Sequence, residues 1–330
     1  MSYRFGLLLV VLSCASVLPS NAQKVVGSIT LPATPLGVAV NPANNRIYVA
    51  LENTSSGPAV GVIDGDTNTL IATITTTQGV GFLAANLVTG RVYSAGCNSS
   101  QTPQCGVTVI DGTSNAIIAT IPVAGPTGIG VQGIAVDPVT NRIYVADDDN
   151  YEVEVIDGYT NTALGYVNTH NAEILALAVD FVTNQIVGVP SGDVIDVING
   201  ANDSVSSILV GAGGLNQSAA VNSFTGRVYV TNQGTSNNLP VVSLTTQKVL
   251  ANVALSAPPF ADAVDYIANV IFVTLDNGMV AVVDGTTNTV KGTVAVSASG
   301  YIDVNPATKL AYTAGLDAEA GTYVVNVISE

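Results

Sequence analysis

The side chains suited to acid–base chemistry are few in this sequence. His170 is its single histidine, and Glu173 follows three positions later. A histidine with a carboxylate nearby can act as a general base or supply one metal ligand. One histidine cannot build a two-histidine metal site, and the chain has no G-x-S-x-G nucleophile motif. The pair is a candidate catalytic site, and a surface-loop histidine without a catalytic role is the alternative.

A run of acidic residues offers oxygen atoms to a cation. Asp147, Asp148 and Asp149 are consecutive, and Glu152 follows them. Because Ca²⁺ takes six to eight oxygen ligands in proteins, this run is a candidate calcium site. Its spacing does not match the D-x-[DN]-x-[DN]-G loop, and a solvated acidic loop is the alternative. We therefore expect no required cofactor, and Ca²⁺ is the divalent cation that this run could bind.

Two of the cysteines lie close together in the chain. Cys97 and Cys105 belong to the segment AGCNSSQTPQCG. In an exported protein, two cysteines in one hairpin loop predict a disulfide that holds the loop. A metal pair is the alternative, although no further cysteine or histidine lies nearby to complete its ligand set.

The N-terminus has the features of an export signal. Met1–Arg4 carries a positive charge, Gly6–Leu18 is apolar, and small residues occupy two positions of Ser20–Ala22. This pattern predicts a signal peptide over residues 1–22, followed by a single domain over residues 23–330. We therefore expect a periplasmic, surface-displayed or secreted protein.

Membrane attachment has one alternative route in the sequence. Lipid attachment at Cys14 would anchor the chain, but Val11–Ser13 before it is a poor lipoprotein box. No later apolar stretch reaches the roughly 20 residues that a transmembrane helix needs. We therefore expect no transmembrane segment.

The remainder of the chain is built on one repeated pattern. In residues 134–167, four runs of β-branched and aromatic residues are separated by an Asp-Pro-x-Thr-Asn turn, a polar loop and an Asp-Gly-x-Thr-Asn turn. This pattern predicts four antiparallel strands. The residue that opens the first turn recurs at spacings of 45, 51, 43, 42, 43 and 40 residues, as Asn41, Asn86, Asp137, Asp180, Asn222, Asp265 and Asn305. A period of about 40–50 residues with four strands is typical of a β-propeller blade, so we predict an all-β, seven-bladed β-propeller of four-stranded antiparallel blades.

The two ends of the repeated region complement each other. The last repeat has only three strands, and segment 24–31 matches the fourth-strand pattern of Thr69–Ile74. Pairing segment 24–31 with the C-terminal blade would close the ring without an exposed sheet edge. We therefore predict that this N-terminal strand completes the seventh blade.

Three second strands share a motif around a tyrosine. Residues 45–50 and 141–146 both read NRIYVA, and residues 226–232 read GRVYVTN. With the V-I-D-G-x-T-N turn at 155–161, these runs resemble the signature of YVTN-repeat (YncE-type) β-propeller proteins. The resemblance covers residues 24–330 and implies a seven-bladed propeller exported or displayed at the surface of a bacterium or archaeon. It implies no single reaction, because function on this fold varies with the loops.

The predicted meander divides its connections between two faces of the ring. The turns between first and second strands and between third and fourth strands are short and repetitive, and their side is called the repetitive face. The other connections vary in length and form the variable face, where we expect recognition. Three aromatic and two acidic residues are candidates to bind a ligand there: Tyr151, Glu152, Phe260, Asp262 and Tyr301.

Most basic residues recur at one position of the repeat instead of clustering at a single site. Arg46, Arg91, Arg142, Arg227 and Lys309 open second strands at the repetitive face. There they can pair with the aspartates of the repetitive turns. We interpret them as ion pairs that brace turns or neighbouring blades, and an anion site is the alternative.

Charge narrows the classes of partner and function. The formal net charge of −15 disfavours nucleic acid and anionic lipid as partners. We expect a monomeric, exported binding scaffold that recognises a protein, glycan or small ligand through its variable face. The alternative is a lactonase-like propeller hydrolase or lyase that acts on a non-anionic metabolite. In that alternative His170 and Glu173 serve as acid and base, with or without a divalent ion.

Overall fold

The protein is a ring of small β-sheets. The computed structural model describes residues 23–98, 105–123, 130–147, 151–169, 173–211, 215–233 and 236–330. These residues form seven antiparallel sheets of four strands each, so the predicted seven-bladed β-propeller is confirmed. No helix in the described ranges is long and apolar enough to cross a membrane. The predicted signal peptide and Cys14 lie outside the described residues.

The strands follow one another around the ring in chain order. β1 (Lys24–Leu31) belongs to blade 7. Blade 1 is β2 (Thr34–Asn41), β3 (Arg46–Thr54), β4 (Gly57–Asp64) and β5 (Thr69–Thr75). Blade 2 is β6 (Phe82–Ala85), β7 (Arg91–Cys97), β8 (Cys105–Asp111) and β9 (Ala116–Pro122). Blade 3 is β10 (Val131–Asp137), β11 (Arg142–Asp147), β12 (Glu152–Asp157) and β13 (Thr162–Asn168). Blade 4 is β14 (Ile174–Asp180), β15 (Gln185–Pro190), β16 (Val194–Asn199) and β17 (Val205–Leu209). Blade 5 is β18 (Leu215–Asn222), β19 (Arg227–Gln233), β20 (Asn238–Ser243) and β21 (Lys248–Ala254). Blade 6 is β22 (Pro259–Asp265), β23 (Val270–Leu275), β24 (Met279–Asp284) and β25 (Thr289–Ala295). Blade 7 is β26 (Ile302–Asn305), β27 (Leu310–Asp317), β28 (Thr322–Ser329) and β1.

The burial of a strand depends on whether it lies near the central channel or at the outer rim of the ring. In blade 1, β4 has a continuous buried centre, whereas β5 alternates between exposed and half-buried residues on the outer rim. The first strands line the central channel. Both faces of the inner strands are apolar because each blade packs between two others, as where Ile47 and Val49 of blade 1 pack with Tyr312 and Val325 of blade 7.

Side chains of the turn residues fix the repetitive turns. Asn86 Oδ1 accepts hydrogen bonds from the N–H groups two and three positions later, at 2.9 and 3.0 Å. Asp157 Oδ1 does the same in the third-to-fourth turn of blade 3, at 2.7 and 3.0 Å. These bonds lower the pKa of the Asp157 carboxyl. A short side chain that accepts local N–H groups is what asparagine and aspartate provide, which explains their recurrence.

The N-terminal strand closes the ring as predicted. β1 pairs antiparallel with β28, from Lys24 opposite Ser329 to Leu31 opposite Tyr323. Ile29 and Leu31 are each 5% exposed and pack in the cluster between blades 7 and 1. The outer edge of β28 is therefore covered by the strand that the sequence predicted to cover it.

A repeated contact ties the second strand of one blade to the third-to-fourth turn of the next. Arg46 Nη1 donates a hydrogen bond to the Gly112 carbonyl at 2.5 Å, and the Tyr48 hydroxyl donates to the same oxygen at 3.2 Å. Arg142 Nη1 likewise donates to the Gly200 carbonyl at 2.8 Å. The other contacts of this kind join Arg91 to the Gly158 carbonyl and Arg227 to the Gly285 carbonyl.

These contacts correct one prediction about the basic residues. Bracing between blades is present, but the arginines donate to backbone carbonyls, and Arg46 also to the Asn115 amide oxygen, instead of to the carboxylates of the repeat. A guanidinium hydrogen bond to a neutral acceptor contributes about 1.5–3 kcal/mol. Lys309 has a φ of 60° in the turn before β27, so it does not open that strand. An ion pair does join Lys291 Nζ to Glu330 Oε1, at 3.7 Å.

Where the tyrosine of a second strand is replaced by another residue, the glycine in the third-to-fourth turn of the next blade is replaced too. In blade 4, Val187 takes the tyrosine position, and Leu244 takes the glycine position in blade 5. Both side chains are buried in one hydrophobic cluster. At Gly285, in contrast, an added Cβ would lie 2.6 Å from the Tyr229 hydroxyl oxygen. Glycine at position 285 leaves room for the Asn269 side chain and the Tyr229 hydroxyl. Leucine fits at position 244, where Gly226 takes the place of the asparagine and Val187 that of the tyrosine.

We expect Gly285→Ala to destabilise the protein by about 1–3 kcal/mol, because the new methyl group would collide with the Tyr229 hydroxyl and with the Asn269 side chain. Tyr229→Phe removes the hydroxyl, so the double variant should lose less than the two single losses added together. Urea unfolding of the four proteins measures this coupling. Gly285→Ala combined with Tyr144→Phe is the control, because separated sites should be additive. Additivity in both cycles would contradict the assigned contact.

We expect deletion of residues 24–31 to lower the unfolding temperature strongly, because it exposes the edge of β28 and removes Ile29 and Leu31 from the core. Thermal unfolding of residues 32–330 and 23–330 tests this. Val26→Ser is the control, since Val26 is 45% exposed on the same strand and should change the unfolding temperature little. Equal melting of the truncated and longer chains would contradict ring closure by β1.

Candidate functional site

The central channel has a cup at each end. The variable-face cup has a volume of about 190 Å³ and is lined by the starts of the first strands. The repetitive-face cup has a volume of about 280 Å³ and is lined by the ends of the same strands and the turns that follow. Asp262 and Asp303 belong to the lining of both cups. The polar residues lining the variable-face cup are Gln132, Ser218, Asp262, Tyr301 and Asp303.

Asp262 reaches from β22 to the first strand of the preceding blade. Its Oδ2 accepts a hydrogen bond from the Ala220 N–H at 3.1 Å. The side chain is 7% exposed, and Oδ1 has no hydrogen-bond partner in the described part of the chain. Burial raises the pKa of Asp262 to about 7, although the nearby Ser218 hydroxyl and the Ala220 N–H oppose this rise. Asp262 therefore has an unused acceptor beside the channel.

Asp303 also accepts a backbone N–H from a neighbouring blade, but from the blade that follows it in the ring. Its Oδ2 accepts a hydrogen bond from the Val40 N–H of blade 1 at 2.7 Å, and its Oδ1 accepts one from the Val304 N–H at 2.8 Å. Burial raises the pKa of Asp303 to about 6. Both oxygens are used, so Asp303 braces the channel wall, whereas Asp262 retains an oxygen for another partner.

Three aromatic rings stand at the variable-face mouth of the channel. The Tyr301 ring centroid lies 5.3 Å from that of Phe260 and 5.9 Å from that of Phe82, both in edge-to-face geometry. We call these residues the aromatic trio. Phe82 belongs to blade 2 and Tyr301 precedes the first strand of blade 7, so their contact passes over blade 1. Gly37 of blade 1 lets the backbone of blade 2 approach closely there, because a Cβ would lie 2.5 Å from the Gly81 carbonyl oxygen and 3.3 Å from the Phe82 Cα.

The candidate ligand residues named from the sequence lie in two places. Phe260, Asp262 and Tyr301 lie at or beside the variable-face cup. Tyr151 and Glu152 lie in blade 3, outside the lining of both cups; Tyr151 is 45% exposed with a φ of 55°. The sequence therefore grouped residues that the fold separates.

The candidate catalytic and calcium residues are described only in part. Glu173 is half-buried just before β14, whereas His170 lies outside the described residues, so their proximity stays a prediction. Asp147 is 3% exposed and lies opposite Glu152, and Asp148 and Asp149 lie outside the described residues. No group of three or more potential metal ligands occurs in the ranges that the structure describes.

Glu154 is a buried acid that the sequence analysis missed. It is 1% exposed, and its Oε2 has no hydrogen-bond partner in the described chain. Burial raises its pKa to about 7, and the negative charge of Asp147 contributes to the rise. At this position of the third strand, blade 1 has Gly61 and blade 2 has Thr108. The sequence does contain a sign of Glu154, because it is an acidic residue within an apolar strand. Asp303 stands in an apolar strand in the same way, and the sequence analysis missed it too.

The predicted disulfide is confirmed. Cys97 and Cys105 lie opposite each other on β7 and β8, with an S–S distance of 2.08 Å. The bond joins the two ends of the loop between these strands. Cys97 also lines a third cavity, of about 410 Å³, between blades 1 and 2 on the variable face.

The repetitive face is less polar than its turns suggested. Phe181, Phe224 and Tyr266 pack edge to face, with ring centroids 5.6–5.9 Å apart. The second residue after the turn opener is exposed by 57–67% in five blades, as Val88, Val139, Val182, Phe224 and Ile267. These exposed apolar side chains belong to the first-to-second turns of blades 2 to 6.

The fold defines the class of protein, a seven-bladed β-propeller with an acid-lined channel. No family model matches the chain, and no curated protein matches it. The resemblance to YVTN-repeat propellers therefore stays a prediction from the motifs, and functional inference has to start from the channel.

The buried acids should make the protein less stable as the pH rises above about 4. With a pKa of about 7, the folded state keeps the Asp262 proton between the ordinary carboxyl pKa of 3.8 and pH 7, where the unfolded state has lost it. Ionising this group therefore lowers the free energy of unfolding. Asp262→Asn should be more stable than the wild type at pH 8, by up to about 4 kcal/mol at about 1.4 kcal/mol per pKa unit, and by less than half of that amount at pH 5, because the wild type loses this stability progressively between pH 4 and pH 7.

Denaturant unfolding at pH 5 and pH 8 measures this difference. Asp276→Asn is the control, because Asp276 is exposed and its replacement should leave the pH dependence of the wild type intact. An identical pH dependence in the wild type and in Asp262→Asn would show that Asp262 does not titrate in this window.

Proposed function

We propose that this protein is an exported or surface-displayed binding protein that holds a small ligand in the variable-face cup. The observation that carries the proposal is Asp262, a buried carboxylate with one unused oxygen in the lining of a concave and largely apolar cup. Ligand sites in proteins combine an apolar lining with a few placed polar groups. The cup has this composition, and no catalysis is assigned to it.

The cell compartment is part of the proposal. The disulfide indicates an oxidising environment, such as the periplasm or the cell exterior. The signal-like segment of residues 1–22 supports export. We also propose membership of the YVTN-repeat propellers, supported by the coupled tyrosine and turn-glycine positions of neighbouring blades.

The distribution of charge supports the variable face as the binding face. Nine Lys and Arg residues minus Arg4 leave eight after residue 22, and each lies at or near the repetitive-face end of a strand. The described connections of the variable face have acids without basic residues, among them Glu52, Glu152, Asp193 and Asp276. This field favours neutral or cationic ligands over anionic ones.

The proposal can be tested by filling the cup. Leu175 is half-buried in the cup lining, so Leu175→Trp should occupy the ligand space. We expect some members of a panel of neutral and cationic small molecules to raise the unfolding temperature of residues 23–330 by mass action. The same molecules should have no effect on Leu175→Trp.

Leu209→Trp is the matched control, because Leu209 is 70% exposed on an outer strand. It should keep the ligand response of the wild type. A response that survives in Leu175→Trp would place the binding site elsewhere and would contradict the proposed function.

A further inference from the structure

The lining of the variable-face cup favours one chemical class of ligand. We propose that the cup binds an alkylammonium group, with the Asp262 carboxylate as its counter-charge and Phe82 and Tyr301 of the aromatic trio in its wall. This inference rests on the proposed function, because it names the ligand class of the same cup.

The first argument is the state of Asp262. Its Oδ2 accepts the Ala220 N–H, its Oδ1 has no partner among the described residues, and the side chain is 7% exposed. A buried carboxylate without a full set of partners carries a large desolvation cost. Burial accordingly raises its pKa to about 7. A cation in the cup would stabilise the ionised form, which makes positive charge the complement that this site lacks.

The second argument is the charge of the surrounding lining. The described lining of the variable-face cup contains two carboxylates and no lysine, arginine or histidine. Asp303 adds negative charge, but both its oxygens already accept backbone N–H groups. An anionic ligand would therefore meet two acids without a counter-charge. A cationic ligand is the only charged class that this lining favours.

The third argument distinguishes an organic cation from a metal ion. A hard metal ion needs several oxygen ligands, and the described residues contain no group of three or more potential metal ligands. The cup wall instead presents Phe82, Tyr301, Leu83 and Leu177. Aromatic rings attract ammonium groups through their quadrupole, and their apolar surface suits the alkyl part of the same ligand. An alkylammonium group matches both properties of the wall.

The test compares a cation with its uncharged equivalent. Choline and 3,3-dimethylbutan-1-ol have nearly the same shape, but only choline is charged. Titration calorimetry of residues 23–330 at pH 8 should show choline binding at least tenfold more tightly than the alcohol. Asp262→Asn should weaken choline binding at least tenfold and leave alcohol binding unchanged. Asp276→Asn, which changes an exposed acid of the variable face, should bind choline like the wild type.

A second measurement does not depend on any variant. Choline affinity of the wild type should fall as the pH is lowered from 8 to 5, because protons compete with the cation for Asp262. Among the residues that the structure describes, the other titratable groups in the lining of this cup are Asp303 and Tyr301. Burial raises the pKa of Tyr301, so its hydroxyl stays neutral in this range, whereas Asp303, with a pKa of about 6, acts in the same direction as Asp262. A choline affinity that does not change with pH would overturn the proposal.

The outcomes separate this inference from the proposed function. If the alcohol binds as tightly as choline, and Leu175→Trp abolishes both, the cup is a binding site but its ligand is not a cation. If choline does not bind in the cup while other molecules of the panel do bind there, the ammonium assignment is wrong and the proposed function stands. If panel molecules bind Leu175→Trp as well as they bind the wild type, the proposed function fails first.

Discussion

One contact on the repetitive face joins four of the seven pairs of neighbouring blades. An arginine at the start of a second strand donates to a carbonyl in the third-to-fourth turn of the next blade, and in blade 1 the Tyr48 hydroxyl joins Arg46 at Gly112. This contact holds the turn of one sheet against the strand of its neighbour, and the apolar clusters between the blades complete the packing.

The channel imposes a second constraint. The innermost strand of each blade has no neighbour on its channel side, so its N–H groups need other partners. Asp262 and Asp303 supply two such partners, for Ala220 and Val40 of the adjoining blades. A carboxylate used in this way is buried at a cost, and at Asp262 one oxygen is left over. The polar character of the cup is thus a consequence of how the ring satisfies its own backbone.

Most of the fold could be predicted from the sequence, because turn chemistry and strand patterning are local and recur at a regular period. The closing strand followed from the same regularity, whereas the disulfide followed from the position of Cys97 and Cys105 in one hairpin loop. The site was harder, because it depends on contacts between blades. The sequence does not show that Phe82 of blade 2 meets Tyr301 of blade 7, nor which oxygen of Asp262 lacks a donor. The arginine acceptors were predicted wrongly for a related reason, since a backbone carbonyl leaves no signature in the side-chain pattern.

The closure of the ring also has a consequence for the order of assembly. Lys24 and its partner Ser329 are 305 residues apart, so the strand that is synthesised first is the last to find its place. Blades 1 to 6 can form from contiguous segments, whereas blade 7 cannot form until the final strand is present. Closure of the ring therefore has to wait for β28, which pairs with β1 across almost the whole length of the described chain. The seam between β1 and β28 is thus the junction that depends on the longest-range contact in the fold.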